Sequence, residues 1–459
     1  MGAASGRSAP QTTAPLTSVE ICAGAGGQAV GLHNAGFHHL ALIEWDSHAV
    51  DTLKANVSQW PGWEDGRAEQ LKPMDVKELL KEEFLNGAKN LSERFGVKHR
   101  ELDLLAGGVP CPPFSLAGKR LGAHDERDLF PTMLQLVENL RPKAVMIENV
   151  RGILEPPHVF IDYRRQIVNE LFDLGYDVPF VSEKWSVAKQ SEAMSHVWRR
   201  LDASDYGVPQ LRPRAILVAI RKDIARENGE FVWPKHKKGE RATVFKELEK
   251  TMLERCKAYW SLNVKGEAAG PGERTGKQVF EDWKKSAFGA EKGSTKGVAP
   301  TLVGGSRKHG GADLGPTRAK RAWEALGIDA MGVANDFGKS TTDPERDLFR
   351  PKGPMLTVKQ AAIIQGFPPD WDFQGGKTAR YRQVGNAFPP PVAEAVGRAI
   401  IAVLRPESRD EVSRTYELDS GDGAAGDVQL EIDEAVESVP AEPLSPRTHR
   451  SGDLVGARR

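Results

Sequence analysis

Leu102-Asp103-Leu104-Leu105-Ala106-Gly107-Gly108-Val109-Pro110-Cys111-Pro112-Pro113-Phe114-Ser115 is a mostly apolar run, two glycines and a cysteine set among prolines. The run reads as a buried strand, and the glycines as its exit into a tight loop. Proline fixes φ and removes backbone donors, so the loop is stiff and its one sulfur is aimed. Open α/β sheets place their ligand chemistry beyond the carboxyl ends of strands, which is where this loop falls. A lone cysteine is more often a small buried apolar residue, so the loop alone leaves both readings open.

Outward from this strand, apolar runs at Ser18–Ala23, His39–Ile43, Ala144–Ile147 and Ala215–Ile220 alternate with helical patterns. The helical patterns lie at Gly27–Ala35, Ser47–Asn56, Val76–Leu85, Asp128–Leu140 and Tyr163–Leu174. The alternation predicts an α/β fold over residues 16–221, a doubly wound, mostly parallel Rossmann-like sheet. From 222 to 350 the rhythm fails and glycine and lysine rise, which predicts a second, smaller, irregular domain. Apolar pattern returns within 351–405, at Met355–Ile364 and Pro391–Leu404, as two helices that rejoin the first domain. Residues 1–15 read as a flexible tail and not a signal peptide. Residues 406–459 are poor in aromatics and hold 13 acidic against 6 basic residues. They read as a disordered acidic tail.

Lys plus Arg and Asp plus Glu number 63 each among 459 residues. The acidic tail therefore leaves a mild basic excess on the rest, compatible with a polyanion partner. Three cysteines, Cys22, Cys111 and Cys256, do not make a disulfide framework and suit a reducing cytoplasm. No Cys-x-x-Cys or His-x-x-x-His pair is present, so no metal site is expected. No run reads as long and apolar enough to span a bilayer, and no membrane partner is expected.

Glu20-Ile21-Cys22-Ala23-Gly24-Ala25-Gly26-Gly27 closes the first strand and opens a helix. Ala23, Gly24, Gly26 and Gly27 would let a ligand approach the backbone and meet helix N–H groups. About 20 residues on, the next strand ends in Glu44-Trp45, an acid able to accept from both ribose hydroxyls and a flat ring for an adenine. Asp75 could accept from an exocyclic amine. A surface acid and a core tryptophan are the plainer readings. No Walker lysine follows the glycines, which disfavours a nucleoside triphosphate. NAD would fit the turn and Glu44, but leaves Cys111 without a task.

Glu148 leaves the apolar run Ala144–Ile147, where partial desolvation should raise its pKa. Gln210-Leu211-Arg212-Pro213-Arg214 precedes another apolar run. Extended alternation would put Arg212 and Arg214 on one face, wanting an anion or a carbonyl oxygen. A structural salt bridge is the alternative for either one.

Taken in order, these motifs resemble the DNA (cytosine-5)-methyltransferase family of the bacterial modification type. The Pro-Cys-Pro-Pro loop resembles its nucleophile loop, Glu148-Asn149-Val150 its second signature, and Gln210–Arg214 its arginine motif. Arg382-Gln383-Val384-Gly385-Asn386-Ala387 resembles its last motif, which brings Asn386 to the cofactor pocket. Gln365-Gly366-Phe367-Pro368 sits at a structural segment before it. The match covers about 16–221 and 350–404. Two departures stand out. Cys22 occupies a place that is usually aromatic, and Thr357-Val358-Lys359-Gln360 lacks a common Arg-Glu pair.

The resemblance implies S-adenosylmethionine as cofactor and a flipped-out cytosine as substrate. It implies that the Cys111 thiolate adds at C6, so that C5 accepts a methyl group. Glu148 would hold N3 and N4, Arg214 would bind O2, and Arg212 with Arg214 would favour the thiolate. The implied partner is double-stranded DNA, with Ser115 of the cysteine loop and Thr301, Arg307, Lys308 and Arg318 of the glycine-rich basic segment Gly297–Arg321 as candidate contacts. A tRNA cytosine methyltransferase with the same pocket is the alternative, and a sizeable reading region argues for duplex DNA. The chain is expected to be a monomer, with any cognate restriction endonuclease acting separately.

Overall fold

β1 (Leu16–Ile21), β2 (Phe37–Ile43), β3 (Leu104–Gly108), β4 (Ala144–Val150), β5 (Trp198–Asp202) and β6 (Pro213–Ile220) join in one sheet. Their order across it is β2-β1-β3-β4-β6-β5. The structure is a computed structural model that describes residues 14–81, 96–110, 128–293, 295–304, 314–338 and 342–419. β1 to β4 are mutually parallel, whereas β6 runs antiparallel to both β4 and β5. The sheet is therefore mostly parallel, as the alternation of elements predicts. The reversal of β6 is invisible in its sequence, because an apolar run carries no direction.

Side chains on a strand alternate between faces, and both faces here are covered. Leu104, Ala106, Ala144 and Met146 point to the layer holding Leu32, Val396 and Ile400, from helices Gly27–Ala35 and Pro390–Leu404. Leu105, Val145 and Ile147 point to the opposite layer, against Met133, Val137, Ile167 and Leu171, from helices Phe130–Leu140 and Ile161–Asp173. The stretch Lys377–Leu404 is, by length and composition, apolar enough to cross a membrane, which corrects the expectation that no run is. Within the fold it is broken into helices Lys377–Asn386 and Pro390–Leu404, and most of it is buried. Its small residues allow close helix packing. A Cβ on Gly31 would lie 2.3 Å from the Pro390 carbonyl oxygen and 2.5 Å from the Ala393 Cβ.

The region 222–350 is not irregular throughout. It carries helices Val244–Lys257, Gly276–Ala290 and Thr317–Ala325. Val244, Leu248, Met252 and Cys256 recur every four residues and are buried, the stripe of an amphipathic helix whose charged remainder faces outward. Thr275 and Gln278 close the start of the second helix as a capping box. These helices share a core with Leu356, Ile364, Tyr381 and Val384.

Order also continues past residue 405. Helix Arg409–Thr415 and strand Tyr416–Leu418 follow, with Val412 and Tyr416 buried, so the expectation of disorder from 406 is corrected for 406–419. Residues 420–459 lie outside the described part, as do residues 1–13.

Gly31→Ala should overpack the junction with helix Pro390–Leu404 and cost about 1–3 kcal/mol. Gly289→Ala, with nothing within 4 Å of its added Cβ, should instead gain about 0.5 kcal/mol. Denaturant midpoints of the two variants against the wild type check both signs.

Candidate functional site

The register of the parallel strands decides which residues meet. Ile21 pairs with Gly107, and Gly108 with Glu148, so β1, β3 and β4 end together. Beyond those ends lies a cavity of about 880 Å³. Its wall includes Ala23, Gly24 and Gly27 after β1, Glu44 and Trp45 after β2, and Asp75. Gly108 at the end of β3, Pro110 after it, Glu148 on β4 and Asn386 line it too. Residues far apart in sequence are thus gathered at one sheet end.

At the β1 end, Gly24 has φ +55°, and a Cβ there would enter open space. Glu44 shapes this turn. Its Oε2 accepts from the Gly24 N–H at 2.7 Å, and its Oε1 accepts from Trp45 and Asp46 N–H at 2.9 and 2.8 Å. Burial pushes the Glu44 carboxyl above its ordinary pKa, and the same three N–H groups oppose that rise. Trp45 is 73% exposed, a flat ring at the rim. Asp75 accepts from the Lys77 N–H at 3.0 Å and caps a short 3-10 turn, Val76–Leu80, where a longer helix was expected.

Gly26 is not on the wall. With φ +90° it faces the Trp371 ring, 2.7 Å from where a Cβ would stand, and Trp371 Nε1 donates to the Ala25 carbonyl at 3.0 Å. Its absent side chain makes room for that ring.

Two wall residues escaped the sequence reading. Glu20 is fully buried and Gln28 is 4% exposed, and no polar atom of either side chain has a partner among the described residues. Burial, with Glu44 close by, pushes Glu20 well above the carboxylate range. Orphaned polar groups are costly unless something hydrogen-bonds to them. A ligand bearing cationic groups fits this wall, and S-adenosylmethionine, a sulfonium with an α-ammonium, is of that kind. Cys22, also on the wall, has φ 52° and a thiol that burial and the Glu44, Asp75 and Glu20 carboxylates push up to about 12. Its thiol is protonated, unlike an activated nucleophile.

At the other end, Cys111 and Ser115 lie outside the described residues, as do Arg307 and Lys308. Pro110, on the wall, is the last described residue before Cys111. Asn149 Nδ2 donates to the Val109 carbonyl at 2.7 Å and holds the chain just before Pro110. Glu148 Oε1 meets Arg214 Nε at 2.8 Å. The antiparallel β6 makes that possible, since Val150 pairs with Arg214 while Glu148 pairs with Ile216. Burial raises the Glu148 pKa, while Arg214 and then Arg212 pull it back.

Arg212 is 1% exposed and donates to the carbonyls of Leu302, Gly385 and Ala387 at 2.6, 2.7 and 2.9 Å. The Thr301 hydroxyl donates to the Leu211 carbonyl, while Arg318 is exposed on helix Thr317–Ala325. Gln360, where a charged pair was missing, caps its own helix, and its Oε1 accepts from the buried Arg255 at 2.7 Å.

The C-5 cytosine-specific DNA methylase family model matches residues 16–402. The Type II methyltransferase M.NaeI of Lentzea aerocolonigenes is 43% identical over 393 residues, 85% of this chain and 76% of that one. The Type II methyltransferase M.NgoMIV of Neisseria gonorrhoeae is 38% identical over 396 residues, 86% of this chain and 99% of that one.

The raised pKa of Glu20 gives a pH test of the cavity wall. Its folded value lies above its unfolded one, so the stability linked to its proton is full below about 4.5 and is lost as pH rises through the folded pKa. Glu20→Gln should therefore gain little at pH 5 and at least about 1 kcal/mol at pH 8. Denaturant melts at the two pH values measure the difference. Equal gains would show that Glu20 does not carry a strained charge.

Proposed function

This chain belongs to the C-5 cytosine-specific DNA methylase family and is a DNA cytosine-5 methyltransferase, and from that premise we propose how its residues work. The target is a cytosine flipped out of double-stranded DNA, the methyl donor is S-adenosylmethionine, and the nucleophile is Cys111. One observation carries the reading: Glu148, charge-paired with Arg214, lines the same cavity as Gly24, Glu44 and Pro110.

When bound, S-adenosylmethionine would supply an electrophilic methyl on a sulfonium, whose sulfur would keep the S–CH3 electron pair and leave as the neutral thioether. Gly24 and Gly27 offer it close backbone approach, Glu44 its ribose contact and Trp45 an adenine face. Glu20 and Gln28 lie where its charge would answer their unpaired atoms, with Asn386 on the facing wall.

C5 of cytosine is a poor nucleophile. The Cys111 thiolate forms a bond to C6, and the displaced π electrons make C5 enamine-like, able to take the methyl. Glu148 hydrogen-bonds N3 and N4, and its raised pKa suits a carboxyl that shares a proton with N3 as charge builds there. Arg214 keeps Glu148 in place and offers a donor to O2. Loss of the C5 proton then returns the electron pair, and the C6–sulfur bond breaks. Extrusion of the base costs roughly a few kcal/mol, which contacts of the 222–350 region with backbone and neighbouring bases would offset. The chain is proposed to act as a monomer, apart from any cognate endonuclease.

Tritiated S-adenosylmethionine with duplex DNA and tRNA as competing acceptors tests the reading, with bisulfite sequencing to map the product. Label is expected at C5 of cytosines in duplex DNA, and label confined to tRNA would overturn it. Cys111→Ser should reduce transfer to background while the protein still binds duplex DNA in a mobility shift. Glu148→Gln should lower kcat/KM by about 10²–10⁴-fold. Near-normal turnover in either variant would remove that residue from the mechanism.

A further inference from the structure

Arg212 belongs to a buried polar cluster that joins four separate segments. Gln210, Arg212 and Gln365 are 0%, 1% and 0% exposed. Gln210 Oε1 accepts from the Leu302 N–H at 2.7 Å, and its Nε2 donates to Gln365 Oε1 at 2.8 Å. Gln365 Nε2 donates to the Ala387 carbonyl. Arg212 spans Leu302 on one side and both Gly385 and Ala387 on the other. The two segments it joins also touch directly. A Cβ on Gly385 would stand 2.6 Å from the Gly304 Cα, and a Cβ on Gly304 would stand 2.1 Å from Asn386 Oδ1.

Asn386 and Ala387 form part of the cavity wall. The 301–304 segment lies in the region assigned above to DNA contact, and the inference rests on that assignment. A guanidinium is planar and holds its donors in a fixed fork, so carbonyls bound to one guanidinium move together. The glycine contact leaves no slack between the segments. A ligand that shifts or steadies the 385–387 wall therefore shifts or steadies 302–304 as well.

We propose that Arg212 is a positioning residue, and that the Gln210–Arg212–Gln365 cluster couples occupancy of the cofactor cavity to binding of duplex DNA. Coupling of this kind is reciprocal: each ligand tightens the other by the same factor, usually about 5- to 150-fold. With its donors on main-chain carbonyls, Arg212 acts on the substrate through these segments, which revises its expected direct part in catalysis.

The test is calorimetric titration of S-adenosylhomocysteine into the full-length protein, with and without a duplex carrying the mapped methylation site, at fixed salt. For the wild type the duplex should lower the Kd at least about fivefold. In Arg212→Lys, whose ammonium cannot span three carbonyls, the factor should fall towards one. Gly385→Ala, whose added Cβ would meet the Gly304 backbone at 2.6 Å and so force the segments apart without emptying the core, should do the same and decides the matter if Arg212→Lys does not fold. A merely structural role predicts weaker binding of both ligands with the coupling factor unchanged, and that result overturns the proposal. A wild type that binds both ligands independently also overturns it and leaves the functional reading intact. Failure of the wild type to bind either ligand would overturn both.

Discussion

A carboxylate at the end of a buried parallel strand needs a cation, and the arrangement of this site follows from how that need is met. β4 carries Glu148 out of an apolar sheet, where ionisation is costly. The next strand in the sheet, β6, arrives antiparallel and delivers Arg214 to within 2.8 Å of it. On its other side β3 presents glycine. A Cβ at Gly108 would stand only 3.3 Å from Glu148 Oε2, so that edge of the carboxylate stays uncrowded. Chain direction, pairing register and one missing side chain together keep an acid held, partly masked and open to a ligand.

The rest of the fold serves that opening. The two helical layers fix the sheet from both faces, and the tight seat of helix Gly27–Ala35 on Pro390–Leu404 binds the glycine turn to the C-terminal helices. Around the cavity, side chains of the sheet ends mostly hold backbone. Glu44 gathers three N–H groups, Asn149 holds Val109, and Arg212 gathers three carbonyls. Backbone held this way makes a preformed site, since these contacts stand before any ligand arrives. Glu20 and Gln28 are exceptions among the wall residues, and they lie where a ligand would stand.

Much of this was legible in the chain itself, for physical reasons. Buried parallel strands are near-continuous apolar runs, so β1 to β4 and β6 stood out, and glycine or an acid at their ends marked the cavity. β5, Trp-Arg-Arg-Leu-Asp, did not stand out, because it is a short, charged edge strand. The helices of 222–350 were hidden by their charged outer faces, though the four-residue spacing from Val244 to Cys256 was there to be counted. Glu44 and Glu148 drew notice because each closes an apolar run. Glu20 could not, since a lone acid inside a strand does not announce that it is buried. The partners of Arg212 lie 90 to 175 residues away, and no local pattern contains them.

The most direct measurement is mass spectrometry of the protein trapped on duplex DNA in which 5-fluorocytosine replaces cytosine, with S-adenosylmethionine present. Fluorine at C5 cannot depart as the proton does, so an attacking sulfur would stay bonded to C6. The account predicts a stable adduct whose nucleotide mass maps to Cys111. No adduct, or one mapping to Cys22 or Cys256, would contradict it.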